Sequence, residues 1–124
     1  MYSETVLDHF NNPRNAEGPG DSDAVGRAGT PGQGNYMVIS LREEGGRIAE
    51  ARFQTYGCPA AIACGSWLTE RVTGMSADDA KEITPDAITE GLGGLPLGKE
   101  HCAKLASDAL RDALNQTRLL GKEK

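Results

Sequence analysis

The sequence lacks several features that would point to other classes of protein. It contains no run of lysine or arginine and has a net charge of −5 over 124 residues, so it has no concentrated basic face of the kind that binds phosphates. No apolar stretch approaches the roughly 20 residues of a membrane span. The first residues also lack the basic and apolar regions of a signal peptide. We therefore expect a cytoplasmic protein with no nucleic-acid or membrane partner.

Aromatic residues and cysteines are scarce, whereas glycine is abundant. Because aromatics make up 5% of the sequence, the core has to rest mainly on aliphatic side chains. The three cysteines are an odd number in a compartment that keeps thiols reduced, which favours ligands, reactive thiols or core residues over disulfides. The 16 glycines cluster in residues 18–34 and 91–98, which predicts loops with tight turns.

Patterns in the first half of the chain predict one helix and a small sheet. Ser3 is a typical N-cap for a short helix. Residues 15–34 predict a loop with a short edge strand over 24–28. Apolar and polar residues alternate over 36–41 and 49–54 on either side of a glycine-containing turn, which predicts an antiparallel hairpin with one buried face.

The second half of the chain is predicted to be helical. Pro59 suits the first position of a helix that Gly74 closes, and apolar residues recur within it at steps of three and four. Ser76 and Thr84 each open a short helix, and a last helix runs over about 101–120. With no repeat or internal boundary, we predict a single domain over residues 1–124 of α+β class, with helices packed on one sheet face.

Cys58 and Cys64 receive different predictions. Cys58 lies between the return strand and the first turn of a helix, where unpaired N–H groups favour a thiolate. Cys64 lies on the apolar stripe of that helix, about 9 Å along the axis and about 120° around it from Cys58. The two sulfurs should therefore not share one metal. Cys58 is a candidate ligand, and Cys64 is expected in the core.

His101 and Cys102 open the last helix after a glycine-rich loop. Imidazole and thiolate together are a ligand set suited to zinc or iron, although a core cysteine beside a surface histidine is the commoner arrangement. His9 is predicted to be a surface residue of the first helix. A site made of Cys58, His101 and Cys102 requires the two helix N-termini to converge at one edge of the sheet.

Three stretches of the sequence together resemble the IscU/NifU-type iron–sulfur cluster assembly scaffolds. They are YSETVLDHFNNPRN at the start, IAEARFQTYGCPAAIA followed by LTE in the middle, and LP-x-x-K-x-HC before an alanine-rich last helix. The resemblance covers nearly the whole chain. It implies a SufE/NifU-like fold, with a small antiparallel three-stranded sheet, an N-terminal helix and several C-terminal helices packed on one face.

The resemblance also implies a site of three cysteines, a histidine and an aspartate at one end of the domain. By matching motifs, Cys58 is the middle cysteine, and His101 and Cys102 are the final histidine and cysteine. These three are the predicted metal and cluster ligands.

The remaining two family ligands come from a loop that reads P-x-C-G-D, which is PGQGN at residues 31–35 here. Gln33 and Asn35 therefore stand in place of a thiolate and a carboxylate. An amide oxygen is a hard, weak ligand for a soft metal, so these two residues are expected to contribute weakly. A cluster held by one chain should be labile.

In function, the resemblance implies a scaffold or carrier that is not an enzyme. Sulfur would arrive as persulfide from a cysteine desulfurase, on Cys58 or Cys102, because thiolates are the nucleophiles in such transfers. Iron would join it, and a transient [2Fe–2S] cluster would pass to acceptor apo-proteins. An Hsp70-type chaperone is a further implied partner, although the family's LPPVK docking segment is LPLGK here. Because one chain offers two credible thiolates, such a cluster would bridge a homodimer.

Two other interpretations stay open at this point. One is a regulatory or degenerate paralogue that docks the desulfurase but builds no cluster, because the loop cysteine is gone. The other is a structural zinc-binding domain that uses Cys58, His101 and Cys102, with a water molecule or Gln33 as the fourth ligand.

Overall fold

The structure is a computed structural model that describes residues 2–20, 22–30 and 32–122. Its elements in chain order are α1 (Glu4–Asn11), β1 (Ala24–Gly29), β2 (Tyr36–Glu44), β3 (Arg47–Tyr56), α2 (Pro59–Val72), α3 (Ala77–Lys81), α4 (Pro85–Gly91) and α5 (Glu100–Lys122). No helix in these ranges is long and apolar enough to cross a bilayer.

The three strands form one antiparallel sheet in the order β1-β2-β3. Met37, Ile39 and Leu41 on β2 are fully buried, as their period-two spacing predicts. Helices α2 and α5 cover this face of the sheet, and α1 packs against α2. The predicted α+β fold, with a three-stranded sheet and helices on one face, is confirmed.

Short polar side chains begin the helices at the predicted positions. The hydroxyl oxygens of Ser3, Ser76 and Thr84 each accept a hydrogen bond from a backbone N–H three residues later, which satisfies one of the unpaired donors of a first turn. Pro59 is the first residue of α2, where its missing N–H costs nothing. The sequence signals for helix starts are therefore accurate here.

The return strand departs from the predicted alternation at one position. Arg42 pairs with Glu50 and Glu43 pairs with Ile48, so Ala49 is an extra residue on β3 and forms a bulge. The bulge turns Ile48 into the core, where it is 1% exposed, and leaves Ala49 only partly buried. The sequence predicted Ala49 on the buried face. That prediction is wrong because a period-two pattern cannot reveal an inserted residue.

Helix α5 lies unusually close to the edge strand β1. A Cβ added at Gly26 would lie 2.2 Å from the carbonyl oxygen of Ala109 and 2.3 Å from the amide nitrogen of Ala113. Both alanines are fully buried, so small residues on the two elements let their backbones approach. This contact fixes the position of α5, which carries His101 and Cys102 at its start.

Side chains of α5 and neighbouring loops also occupy the outer edges of the sheet. Gln116 donates to the carbonyl of Val25 and accepts from its N–H, while Asp112 accepts from the N–H of Arg27. On the opposite edge, the N–H of Phe53 donates to the carbonyl of Asn15 at 2.9 Å. Several backbone groups that an edge strand would leave open are thus paired within the chain.

His9 lies inside the protein and not on the surface. It is 5% exposed, and its Nδ1 is hydrogen-bonded to the hydroxyl oxygen of Ser66, with 2.7 Å between the two atoms. Ser66 in turn accepts from the N–H of Arg14 at 2.9 Å. Burial lowers the pKa of His9, and the nearby Arg14 lowers it further. The surface prediction is wrong because the face of α1 that carries His9 packs against α2. The sequence of a short helix does not reveal such a tertiary contact.

Substitution of Gly26 tests the close approach of α5. Gly26→Ala should lower the free energy of unfolding by about 1–3 kcal/mol, because the new methyl group overlaps the helix backbone. Gly18→Ala is the matched control, since a Cβ there meets only the Gln54 side chain, at ordinary distances of 3.7 Å or more. Urea denaturation of both variants measures the difference. Equal stabilities would show that α5 is not seated against β1.

Candidate metal and cluster site

The candidate site lies where three segments of the chain meet at one end of the sheet. Tyr36 at the start of β2 pairs with Tyr56 at the end of β3, and their rings stack with centroids 6.4 Å apart. This pairing places the β1–β2 loop beside the corner between β3 and α2. The first turn of α5, which begins at Glu100, reaches the same place.

The structure brings the three predicted ligands Cys58, His101 and Cys102 together. The sulfur atoms of Cys58 and Cys102 lie 3.6 Å apart, and Cys102 Sγ lies 3.7 Å from His101 Nε2. Cys58 is half-buried, Cys102 is fully buried and His101 is exposed. The site therefore has an outer thiol and an inner thiol in contact, with an imidazole at the rim.

Asn35 belongs to the site as a hydrogen-bond donor. Its Nδ2 lies 3.2 Å from His101 Nε2 and 3.5 Å from Cys102 Sγ. Its Oδ1 faces Gly57, where an added Cβ would lie only 2.5 Å from that oxygen. The amide thus presents N–H groups to the thiol and imidazole, whereas the carboxylate of the family's loop would present only acceptors.

Gln33 lies on the same loop as Asn35. Its side chain is exposed, and in the described part of the chain it makes no hydrogen bond to them. Pro31, which begins the compared loop, lies outside the described residues. The loop therefore contributes Asn35 to the site but no ligand from position 33.

The pKa of the Cys58 thiol is lowered by its position at the start of α2. Burial acts against this shift and is the largest single effect, but it is outweighed by several groups together. These are the N–H groups of Ala60 and Ala61, the Cys102 thiol and the Lys99 ammonium. Cys58 is the N-cap residue of α2, so the helix N-terminus favours its thiolate as predicted.

The other two cysteines shift in the opposite direction. Burial raises the pKa of Cys102 to about 12, and contact with Cys58 adds to the effect. Burial also raises the pKa of Cys64, with smaller contributions from Cys102 and Cys58. Cys64 is fully buried, as its place on the apolar stripe of α2 predicted. The two thiols in contact therefore differ: the pKa of Cys58 is lowered, whereas the pKa of Cys102 is raised.

Lys99 is a site residue that the sequence interpretation did not identify. Its positive charge lowers the pKa of both Cys58 and Cys102. The signal was present in the sequence, because Lys99 lies two residues before His101 in the LP-x-x-K-x-HC motif.

The thiol pair has the spacing of two ligands on one metal, although the whole set is not a formed metal site. Two thiolates bound at about 2.3 Å with tetrahedral angles place their sulfurs about 3.8 Å apart, and Cys58 and Cys102 lie 3.6 Å apart. Among the residues that the structure describes, no group of three or more His, Cys, Asp or Glu side chains is arranged to hold a metal ion. Further ligands would have to come from a movement of His101 or from another molecule.

The thiols should differ in their rates of alkylation. Cys58 should react first with iodoacetamide, because it is half-buried and its pKa is lowered, while Cys64 should react last because it is buried and protonated. Peptide mass spectrometry after timed labelling measures the order. Labelling in urea, which exposes all three thiols, is the control. Rapid labelling of Cys64 in the native protein would contradict the placement of this residue in the core.

Comparison with known proteins gives a consistent result over the length of the chain. The sequence profile of the NifU-like N terminal domain family matches residues 1–122. The chain is 49% identical over 114 residues to the iron–sulfur cluster assembly scaffold protein IscU 1 of Archaeoglobus fulgidus, which covers 92% of this chain and 74% of that protein. It is 43% identical over 117 residues to the iron–sulfur cluster assembly scaffold protein IscU of Escherichia coli, with 91% of each covered.

Solved structures support the fold. The N-terminal part of a nitrogen-fixing NifU-like protein from Brucella abortus superposes with a TM-score of 0.72 at 18% identity and covers 94% of both chains. At that identity the likeness concerns the fold alone. The profile match and the relatives above 40% identity decide the family. The resemblance inferred from three sequence motifs is therefore confirmed, and the chain belongs to the NifU-like N-terminal domain family.

Proposed function

We propose that this protein is a cytosolic scaffold or carrier of iron–sulfur cluster assembly, with the cluster as its cargo. Cys58 and Cys102 supply the thiolates that hold iron, and His101 is the third ligand once it turns toward the pair. The protein acts stoichiometrically and is not an enzyme. The relatives from Archaeoglobus fulgidus and Escherichia coli are both named as iron–sulfur cluster assembly scaffold proteins, which supports this assignment.

The observation that carries the proposal is the contact between Cys58 and Cys102. Two cysteines 44 residues apart meet at 3.6 Å, at a corner where the helix N-terminus and Lys99 both favour thiolate. A pair with this spacing and charge suits one iron atom with two sulfur ligands.

The proposed partners follow from the accessibility of the site. A cysteine desulfurase delivers sulfur at the half-buried Cys58, and acceptor apo-proteins take the cluster from the same open end. Leu97 is 95% exposed in the LPLGK segment next to the site. This exposed apolar side chain supports docking of an Hsp70-type chaperone there.

Anaerobic reconstitution with iron, sulfide and a desulfurase tests the proposal. The wild type should gain the visible absorbance of a cluster, which Cys58→Ser and Cys102→Ser should each abolish. Cys64→Ala is the matched control and should behave as the wild type, because Cys64 lies in the core. If the wild type gains no absorbance, or all four proteins gain the same, the proposed scaffold function is wrong.

The altered loop favours a second candidate function. With Gln33 exposed in place of a thiolate, the protein could dock the desulfurase and build no cluster, as a regulatory or degenerate paralogue. Binding to the desulfurase without sulfur transfer would identify this case. Stoichiometric zinc in protein purified without air, together with no cluster after reconstitution, would instead identify a structural zinc domain.

Restoring a thiolate in the loop should strengthen the site. Gln33→Cys places a soft ligand on the loop that already brings Asn35 to Cys102, and zinc affinity should rise at least about tenfold, or about 1.4 kcal/mol. Gln33→Ala is the matched control and should leave affinity unchanged. Competition with a chromogenic chelator measures both. Equal affinities for the two variants would show that position 33 does not reach the metal.

A [2Fe–2S] cluster on the wild-type protein should bridge two chains. Such a cluster takes four protein ligands, mostly thiolates, and the site of one chain supplies two thiolates, those of Cys58 and Cys102. Two chains related by a two-fold axis supply four. Size-exclusion chromatography with cluster absorbance followed across the peak should show the cluster only with the dimer. A stable cluster eluting with the monomer would point to His101 and a non-thiolate ligand completing the site.

A further inference from the structure

This inference rests on the proposed function, in which the site receives sulfur as a persulfide. The chemical fate of that sulfur depends on whether the second thiol reacts with the persulfide. We propose that Cys58 and Cys102 act as a dithiol that reduces sulfane sulfur to sulfide: Cys58 accepts sulfur as a persulfide, and Cys102 releases it as hydrogen sulfide by forming a disulfide with Cys58. This activity concerns the protein before iron binds.

The two sulfurs have the geometry and the asymmetry that this reaction needs. They lie 3.6 Å apart, about 1.6 Å longer than a disulfide bond, so a small movement at the start of α2 joins them. Cys58 is half-buried and open to a donor, whereas Cys102 is fully buried. A persulfide donor therefore reaches Cys58 first, and the nearest thiol to the product is Cys102.

Asn35 favours attack by the inner thiol. Its Nδ2 donates toward Cys102 Sγ at 3.5 Å. This contact holds the inner sulfur in place beside Cys58 Sγ, which lies 3.6 Å away.

The replacement at position 33 leaves the dithiol without a competing third thiolate. Gln33 is exposed and carries no sulfur. In a site with three thiolates, a persulfide on one could exchange with either of the others, or all three could bind iron. Here the sulfur on Cys58 has one thiol in contact, and that thiol is Cys102.

The reaction balances in two steps. Cys58 thiolate attacks the terminal sulfur of a protein or small-molecule persulfide; the donor's sulfur–sulfur bond breaks, and the donor leaves as a thiol. Cys102 Sγ then attacks Cys58 Sγ. The bond from Cys58 to the outer sulfur breaks, and that sulfur leaves with the electron pair and the Cys102 proton as hydrogen sulfide. The two cysteines are oxidised by two electrons, the sulfane sulfur is reduced by two, and an external dithiol regenerates the pair.

The test uses the full-length, reduced, metal-free protein and a small persulfide whose inner sulfur is bonded to a tertiary carbon. That substituent shields the inner sulfur and directs attack to the terminal one. Sulfide release and intact mass are followed without air. The wild type should release stoichiometric sulfide, lose the mass of its two thiol hydrogens, and give a disulfide that peptide mapping assigns to Cys58 and Cys102.

Single variants separate the two steps. Cys102→Ser should stop at a persulfide on Cys58, seen as the gain of one sulfur atom, with sulfide release at least about tenfold slower. Cys58→Ser should show neither persulfide nor disulfide. Cys64→Ala should match the wild type, and circular dichroism checks that each variant is folded.

Three results would overturn the proposal: a stable persulfide on wild-type Cys58, equal sulfide release from Cys102→Ser, or first appearance of the sulfur on Cys102. The assay contains neither iron nor desulfurase, so it is independent of the reconstitution experiment. Cluster assembly with no sulfide release would show that only the proposed dithiol reaction is wrong. Sulfide release with no cluster after reconstitution would show that the proposed scaffold function is wrong and leave the dithiol reaction standing.

Discussion

Close backbone packing between α5 and β1 is the constraint on which the rest of the structure depends. There is no room for a side chain at Gly26 beneath Ala109 and Ala113. This close contact sets the distance between the helix and the sheet. Cys102 lies at the N-terminal end of this same helix. Because protein interiors are packed as tightly as crystals, the contact of Gly26 with the middle of α5 also limits the distance between Cys102 and Cys58.

Much of the fold could be predicted from the sequence because its signals are local. The caps at Ser3, Ser76 and Thr84 and the alternation along β2 each depend on residues a few positions apart. The errors arose where a distant contact decides. The bulge that buries Ile48 depends on how β3 pairs with β2, and the burial of His9 depends on α1 meeting Ser66 on α2.

The sequence predicted which cysteines and which histidine lie together at the candidate site, but not the hydrogen bonds and charges around them. Motif matching placed Cys58, His101 and Cys102 in one site, and the fold brings them together. The roles of Asn35 and Lys99 were missed, because a residue list does not say which atom of an amide faces a thiol or where an ammonium group lies. From the sequence, the exchange of an acid for an amide predicted only that a carboxylate ligand is replaced by a weaker one. In three dimensions it is also a change from an acceptor to a donor beside a buried sulfur.

The pairing of the sheet's outer edges has a consequence for how copies of this protein can meet. Gln116 and Asp112 occupy backbone groups of β1, and the carbonyl of Asn15 occupies one on β3. A second copy would have to displace these contacts to extend the sheet by strand addition, the usual route of edge-to-edge aggregation. Strand addition at either edge would therefore cost the hydrogen bonds that these groups already make within the chain.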